Sequence, residues 1–524
     1  MQTITLDGRS LAFDDVREIV NDYPNGRRVQ LKLAPDAARR MKKSRAVVDR
    51  ALAEGRTLYG VNTGFGRLSD HPVHDLEQLQ TNLLLSHSAG LDARTGESGL
   101  LIALRANSLA YGNSGVTPAL VQYLVELYNR GVCPEIPELG SCGASGDLVQ
   151  LAELGSVMCG HGWAYVAGGS DRDEPKGDVR TYAKRLPGAD ALARAGLKPY
   201  RFGPKEALSL INGTQYMCAA LGRVLVEMHE ILRLADVAGA MTLEALKGSA
   251  KPFDARVHKL RPHPGQAAAA ENVRALLAGS NVLKSHKDCT KVQDAYSLRC
   301  IPQVHGAARD AFENARRVLL TEINAVTDNP LVLDDGDVVS AGNFHGQPVA
   351  QAADSVAIAL ATLANISERR IERLTNPDLS ELPAFLVRES GVNSGFMMAQ
   401  VVAASLAAEC RVDATPASVQ TIPTGAAKED HVSMGPHAAR KARRTLRNVR
   451  TIVGIELLCA AQALDFLKPL TPGAGVAAAH EFLRQRIPHL ERDRYLRNDI
   501  QTATHFYTHR QLLERVEKRT GRLR

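Results

Sequence analysis

Apolar residues recur every three or four positions over unusually long stretches of this chain, above all from Lys205 to Leu246, Pro348 to Leu374 and Pro436 to Leu467. An average globular helix has about 11–12 residues, so these stretches predict helices of exceptional length. A long amphipathic helix buries its stripe only against other helices. The sequence therefore predicts a mainly α protein built on a long central helical bundle. Shorter stretches of the same period run over Phe13–Val20, Pro35–Ala53, Leu76–Ser88, Leu100–Tyr111, Pro118–Arg130, Gly306–Val326 and Phe396–Val412. Aromatic residues make up only 5%, with one Trp, which disfavours an all-β sandwich.

At 524 residues, length alone would argue for about three domains. No Ser/Gly linker, low-complexity tract or internal repeat divides the chain, so one interlocked body is expected. Within it, residues 1–200 form a loop-rich N-terminal region, 201–475 the long-helix bundle and 476–524 a C-terminal helical segment. A hydrophobic content of 44% and a charged content of 23% exclude a disordered or collagen-like chain.

The formal net charge of +7 gives little reason to expect a nucleic-acid partner. An arginine stripe at Arg440, Arg443, Arg444, Arg447 and Arg450 opposes Leu446, Val449, Val453 and Leu457. It reads as the solvated or subunit-facing side of an amphipathic helix rather than a polyanion site. Eight cysteines lie scattered without a CxxC pair, so neither a metal site nor a disulfide framework is expected, and the cytoplasm is the expected compartment. The first residues lack the basic flank and apolar core of a signal peptide. The apolar stretches Val356–Ile366 and Ile455–Leu464 are short or carry a charge, so no membrane span is expected.

Chemistry concentrates in Glu138-Leu-Gly-Ser-Cys-Gly-Ala-Ser-Gly-Asp147, where Gly140, Gly143 and Gly146 concentrate backbone freedom. As a GxSxG nucleophile elbow the loop fails, because Asp147 stands where glycine is required. As a phosphate loop it also fails, because no Gly-Lys-Ser/Thr follows. A third chemistry fits Ala144-Ser145-Gly146. The unhindered Gly146 nitrogen attacks the Ala144 carbonyl, and loss of two waters leaves a conjugated methylidene-imidazolone. Side chains offer no strong electrophile, so expulsion of a poor leaving group calls for a metal, an added cofactor or such a modification. Taken alone, the tripeptide reads better as a glycine turn before a helix.

Its companions carry the argument further. Tyr59-Gly-Val-Asn-Thr-Gly-Phe-Gly66, Ser86-His87-Ser-Ala-Gly90, Ile211-Asn-Gly-Thr214 and Gln293-Asp-Ala-Tyr-Ser-Leu-Arg299 occur in order with the loop. So do Thr327-Asp-Asn-Pro330, Gly342-Asn-Phe-His-Gly346, Asn393-Ser-Gly-Phe396 and Glu429-Asp-His-Val-Ser-Met434. This ordered set, from about Leu58 to Asp493, resembles the histidine and aromatic amino acid ammonia-lyases.

The resemblance implies an electrophile made from Ala144, Ser145 and Gly146 with no added cofactor, and Asn212 and Phe344 beside it. It implies Tyr59 as catalytic acid/base, for which a phenol needs a lowered pKa. Arg299 is implied as the clamp on the substrate carboxylate, with Gln293 and Tyr296 nearby; a rigid guanidinium fork suits a planar carboxylate. Without the resemblance, Tyr59 and Phe344 would read as packing residues, Asn212 as a turn residue, Tyr296 as a core hydrogen bonder and Arg299 as a salt-bridge partner. The family also implies a homotetramer whose active sites combine loops of more than one subunit.

His87 and Glu429 resemble the histidine branch, as do Pro252-Phe-Asp-Ala-Arg256 and Ser285-His-Lys-Asp-Cys-Thr-Lys-Val292. A polar pocket discriminates strongly against a ring that cannot satisfy it. The expected reaction is non-oxidative deamination of L-histidine to urocanate, with Tyr59 or Glu429 taking the β-proton. Gln347, Lys428 and Val149-Gln150 depart from the branch pattern. A tyrosine or phenylalanine ammonia-lyase, an aminomutase of the same group, and a non-catalytic relative stay open as alternatives.

Overall fold

A computed structural model of the chain describes residues 2–22, 29–94, 96–166, 184–288 and 292–524. Residues 289–291, within the Ser285–Val292 run, lie outside them. Two compact units emerge, each drawn from three segments. Unit 1 comprises Met1–Val226, Ala315–Asp354 and Pro416–Arg440; unit 2 comprises Glu227–Asn314, Ser355–Thr415 and Lys441–Arg524. The divisions fall inside the helices Gln215–Ala245, Ile301–Glu322, Gln347–Thr375 and Gly435–Asp465.

In unit 1, a parallel strand pair, Gln2–Leu6 and Val29–Leu33, alternates buried and outward residues; Ile4, Leu6, Val29 and Leu31 face inward. The strand period of two produces this from sequence alone. At the centre lies Ser98–Ala110, a helix buried at every one of its 13 positions. Burial on all sides obliges its polar residues to find internal partners. Asn107 donates to the Ile323 carbonyl at 2.8 Å and Ser108 to that of Ala325 at 3.0 Å. Arg105 donates to Gln215 Oε1 at 2.6 Å, to the Thr327 carbonyl at 3.2 Å, and to the carbonyls of Ser209 and Asn212. One buried helix thus fixes two loops that carry site residues.

The long periodic stretch from Lys205 to Leu246 is not one helix. It divides into Glu206–Ile211 and Gln215–Ala245, separated by Asn212, Gly213 and Thr214. The break has a tertiary cause: the Gly213 carbonyl accepts the Asp147 N–H at 2.7 Å, and Gly146 bridges to Gly213.

In unit 2, parts of the four divided helices are joined by a buried polar network. Glu456 accepts from Thr242 Oγ1 at 2.9 Å, Ser367 Oγ at 2.5 Å, and Arg370 Nε and Nη2 at 2.5 and 2.8 Å. Asp236 accepts from His305 Nδ1, Arg309 Nη2 and Asn272 Nδ2, each at 2.7 Å. Burial pushes the His305 pKa down, favouring the neutral ring. Its Nε2 is then free to accept from Arg370 Nη1 at 3.4 Å.

The helix Gln347–Thr375 is, among the described residues, the one long and apolar enough to cross a membrane by length and composition. Its most apolar window is 72% buried within the protein, as in a core helix. In Gly435–Asp465 the predicted amphipathic division is present, with Leu446, Val449, Val453 and Leu457 buried. Several stripe arginines have specific partners: Arg440 donates to the Glu138 carbonyl, Arg444 pairs with Asp413 and Arg450 with Glu227.

Candidate active site

The loop through Ala144, Ser145 and Gly146 is a tight turn. Gly143 and Gly146 bridge across Ala144 and Ser145, and Ser145 has φ +49, a left-handed conformation costly for a residue with a Cβ. Gly146 has φ +84, and a Cβ there would lie 2.2 Å from the Gly213 oxygen, so only glycine fits. The neighbouring Cys142 carbonyl accepts the Met434 N–H at 2.8 Å. Asp147 turns its carboxylate to the Met217 N–H at 2.9 Å, capping the first turn of Gln215–Ala245. Burial pushes the Asp147 carboxyl up to about 7, against the lowering effect of backbone donors.

Ser145 opens into a cavity of about 1140 Å³ whose walls include Tyr59, His87, Asn212, Phe344 and Glu429. Ser145 Oγ donates to Glu429 Oε1 at 3.1 Å, and Thr424 Oγ1 donates to Glu429 Oε2 at 2.7 Å. A carboxylate is thereby fixed on the Ser145 hydroxyl. The Tyr59 hydroxyl accepts the Gly66 N–H at 3.1 Å, which orients the phenol while leaving its own proton uncommitted.

His87, in the last turn of Leu76–His87, has Nδ1 3.0 Å from Ser86 Oγ. Burial lowers its pKa against the raising effect of Glu429, which favours a neutral ring able to donate and accept. Asn212, at the helix break, donates one amide hydrogen to the Asn329 carbonyl at 2.9 Å. Its buried Oδ1 has no partner. A buried acceptor left open beside Ser145 suits a group that brings a donor. The steric demand for glycine at 146 separately fits a ring condensed from this tripeptide, which itself carries no N–H.

Not every predicted residue lies here. Gln293, Tyr296 and Arg299 belong to unit 2 and do not line the cavity. They form a cluster of their own: Arg299 donates to Gln293 Oε1, and its guanidinium lies 4.6 Å from the centroid of the Tyr296 ring. Tyr296 is 71% exposed. Of the departures noted above, Lys428 lines the cavity, whereas Gln347 donates to the Ser418 carbonyl at 3.3 Å.

Arg67, Leu208 and Asn329 also line the cavity without having been singled out. Only Asn329 carried a signal, its place in Thr327-Asp-Asn-Pro330. Its side chain accepts from Ala341 N at 2.7 Å and Ser340 Oγ at 3.1 Å, so its carbonyl is held to receive Asn212.

A mainly helical scaffold presenting a strained small-residue turn to a cavity with a phenol, an imidazole and a carboxylate defines the class of lyase that makes its own electrophile. Residues 11–485 match the model of the aromatic amino acid lyase family. The chain belongs to that family, whose carbon–nitrogen lyases use an autocatalytically formed prosthetic group. It is 51% identical over 511 residues to a histidine ammonia-lyase of Anaeromyxobacter sp. (strain K), covering 96% of this chain and 98% of that one. It is 46% identical over 523 residues to that of Myxococcus xanthus, covering 99% of both chains. Among solved structures, histidine ammonia-lyase from Trypanosoma cruzi matches with a TM-score of 0.88 and 40% identity, over 99% of this chain and 96% of that one. Tyrosine aminomutase from Streptomyces globisporus matches with a TM-score of 0.91 and 35% identity over the whole of both chains.

Proposed function

We propose that this protein eliminates ammonia from L-histidine to give urocanate, using a methylidene-imidazolone condensed from Ala144, Ser145 and Gly146. The observation that carries the reading is the presence of His87 and Glu429 in the cavity onto which Ser145 opens. Two polar groups there match the two nitrogens of an imidazole side chain, whereas a phenyl ring offers neither of them a hydrogen-bond partner. The relatives named histidine ammonia-lyase support the same substrate.

The condensed ring supplies an electron sink for departure of the amine. The chain's own residues do the rest. Tyr59 or Glu429 takes the β-proton, and Phe344 with Leu208 and Ile211 excludes water around the reacting carbon. Asn212 keeps one amide hydrogen for the substrate carboxylate. Arg299 clamps that carboxylate, with Gln293 and Tyr296 orienting it, and is supplied to the cavity by a second copy of the chain within a homotetramer. The enzyme acts in the cytoplasm, without added cofactor or metal.

The test is a screen of purified protein against L-histidine, L-tyrosine and L-phenylalanine, read by absorbance of the conjugated acid and by chromatography for β-amino acids. Urocanate with stoichiometric ammonia is expected. Turnover of tyrosine without histidine, or a β-amino acid product, overturns the substrate or the reaction.

A further inference from the structure

Arg370 lies fully buried on the helix Gln347–Thr375, and four of its five N–H groups are committed. Two form the fork on Glu456, at 2.5 and 2.8 Å. The remaining face, Nη1, reaches His305 Nε2 and the backbone carbonyl of Ser297, both at 3.4 Å. Ser297 sits inside the four-residue turn Tyr296–Arg299, whose Leu298 is buried while Tyr296 projects outward. Such a turn is too short to hold its own geometry. Gly239 on the facing helix leaves room for this arrangement, since a Cβ there would stand 3.6 Å from the Arg370 guanidinium carbon and 3.0 Å from Ile301. Glu456 is in turn held by Thr242 and Ser367, and His305 by Asp236, so the guanidinium is fixed from three helices.

We propose that Arg370 is a positioning residue for the carboxylate clamp: through the Ser297 carbonyl it sets the direction in which the turn presents Arg299. The proposal rests on the reading of Arg299 as the clamp. Lysine at 370 would keep the charge beside Glu456, but a point ammonium cannot serve both carboxylate oxygens and the carbonyl at once.

The test compares binding of urocanate, which has a carboxylate, with binding of histamine, which has the same ring and none. It is done by calorimetry on intact wild-type protein, Arg370→Lys, the paired Arg370→Met/Glu456→Gln and Arg299→Gln. The paired variant leaves no buried charge alone and should fold with a melting temperature near that of wild type. Both 370 variants are expected to weaken urocanate about 10-fold and histamine less than about 2-fold, as for one lost charge-assisted hydrogen bond. In turnover, KM should rise by a similar factor with kcat nearly constant. Urocanate binding unchanged in the folded paired variant, or parallel loss of both probes, overturns the proposal. If Arg299→Gln also leaves urocanate binding unchanged, the clamp reading itself falls; if only the 370 variants are silent, the clamp stands and the positioning role falls alone.

Discussion

Glu456 and Glu429 are both carboxylates held by hydroxyl groups, yet their surroundings follow different rules. Around Glu456 in unit 2, four donors from three side chains meet both oxygens in a buried site. Around Glu429 in unit 1, only two hydroxyls donate, and the carboxylate lines a cavity. Nearby, Asn212 Oδ1 and Asp147 Oδ1 are buried without partners, and Ser145 sits in a left-handed conformation. Satisfied polar interiors rigidify, whereas unsatisfied and strained ones mark where something else must bind or react. The first pattern describes the scaffold of this lyase and the second its chemistry.

The contrast breaks most directly at Ser145. Ser145→Ala should lower ammonia release by about 10⁴-fold or more, because on the proposed reading the Ser145 side chain becomes the methylidene carbon of the electrophile. The wild-type loop peptide should be lighter than its sequence mass by two waters and the variant peptide should not. Undiminished turnover in the variant would end this account of the chemistry. On the proposed reading Tyr59→Phe removes the acid/base hydroxyl, together with the acceptor of the Gly66 N–H, and should reduce kcat by about 10²–10⁴-fold while the loop-peptide mass stays unchanged.

A third substitution pair sharpens the comparison. Glu456→Ala strands the buried Arg370 and should remove about 3–5 kcal/mol of stability in denaturant titration. Glu429→Gln should lower turnover while changing stability by less than about 0.5 kcal/mol. Equal stability losses in the two variants would erase the distinction drawn between the sites.

The smallest expected effect concerns pH, where the two units behave alike. Burial pushes the carboxyls of Asp147 and Glu244 up to about 7 in each case. The folded chain then retains protons that the unfolded chain loses above about pH 4. Stability contributed by these groups is full below that pH, falls as pH rises, and levels off above about 7. Asp147→Asn and Glu244→Gln cannot titrate, so melting curves between pH 4.5 and 8 should be flatter for each. Slopes identical to wild type in both would contradict the assigned burial effect.

Helices were legible where local signals agree. Pro35–Ala53 is bounded in the structure as its sequence predicts, with Pro35 at the first turn and Asp36 behind it. Gln347–Thr375 matches the Pro348–Leu374 stretch within one residue at each end. The break at Asn212–Thr214 was missed because apolar spacing continues across it, and its cause is Gly146, distant in the chain. Pro264–Leu276 was missed because Pro264-Gly265 resembles a turn, while alanines leave the periodic stripe faint. In the cavity, residues inside matched motifs were nameable, but Arg67 and Leu208 arrive there only through folding. That Gln293, Tyr296 and Arg299 are not among the residues lining the cavity is likewise something that spacing along the chain does not encode.

The gap between Ile211 and Gln215 also sets a rotational phase. Each residue of an α-helix advances by about 100°, so inserting or deleting one residue in this gap would demand a compensating twist of comparable size between the flanking helices. Asn212 and the Gly213 carbonyl could then no longer both keep their appointments with Asn329 and Asp147. The length of this three-residue joint should therefore be among the least negotiable quantities in the chain, stricter than the identity of many side chains that touch the cavity.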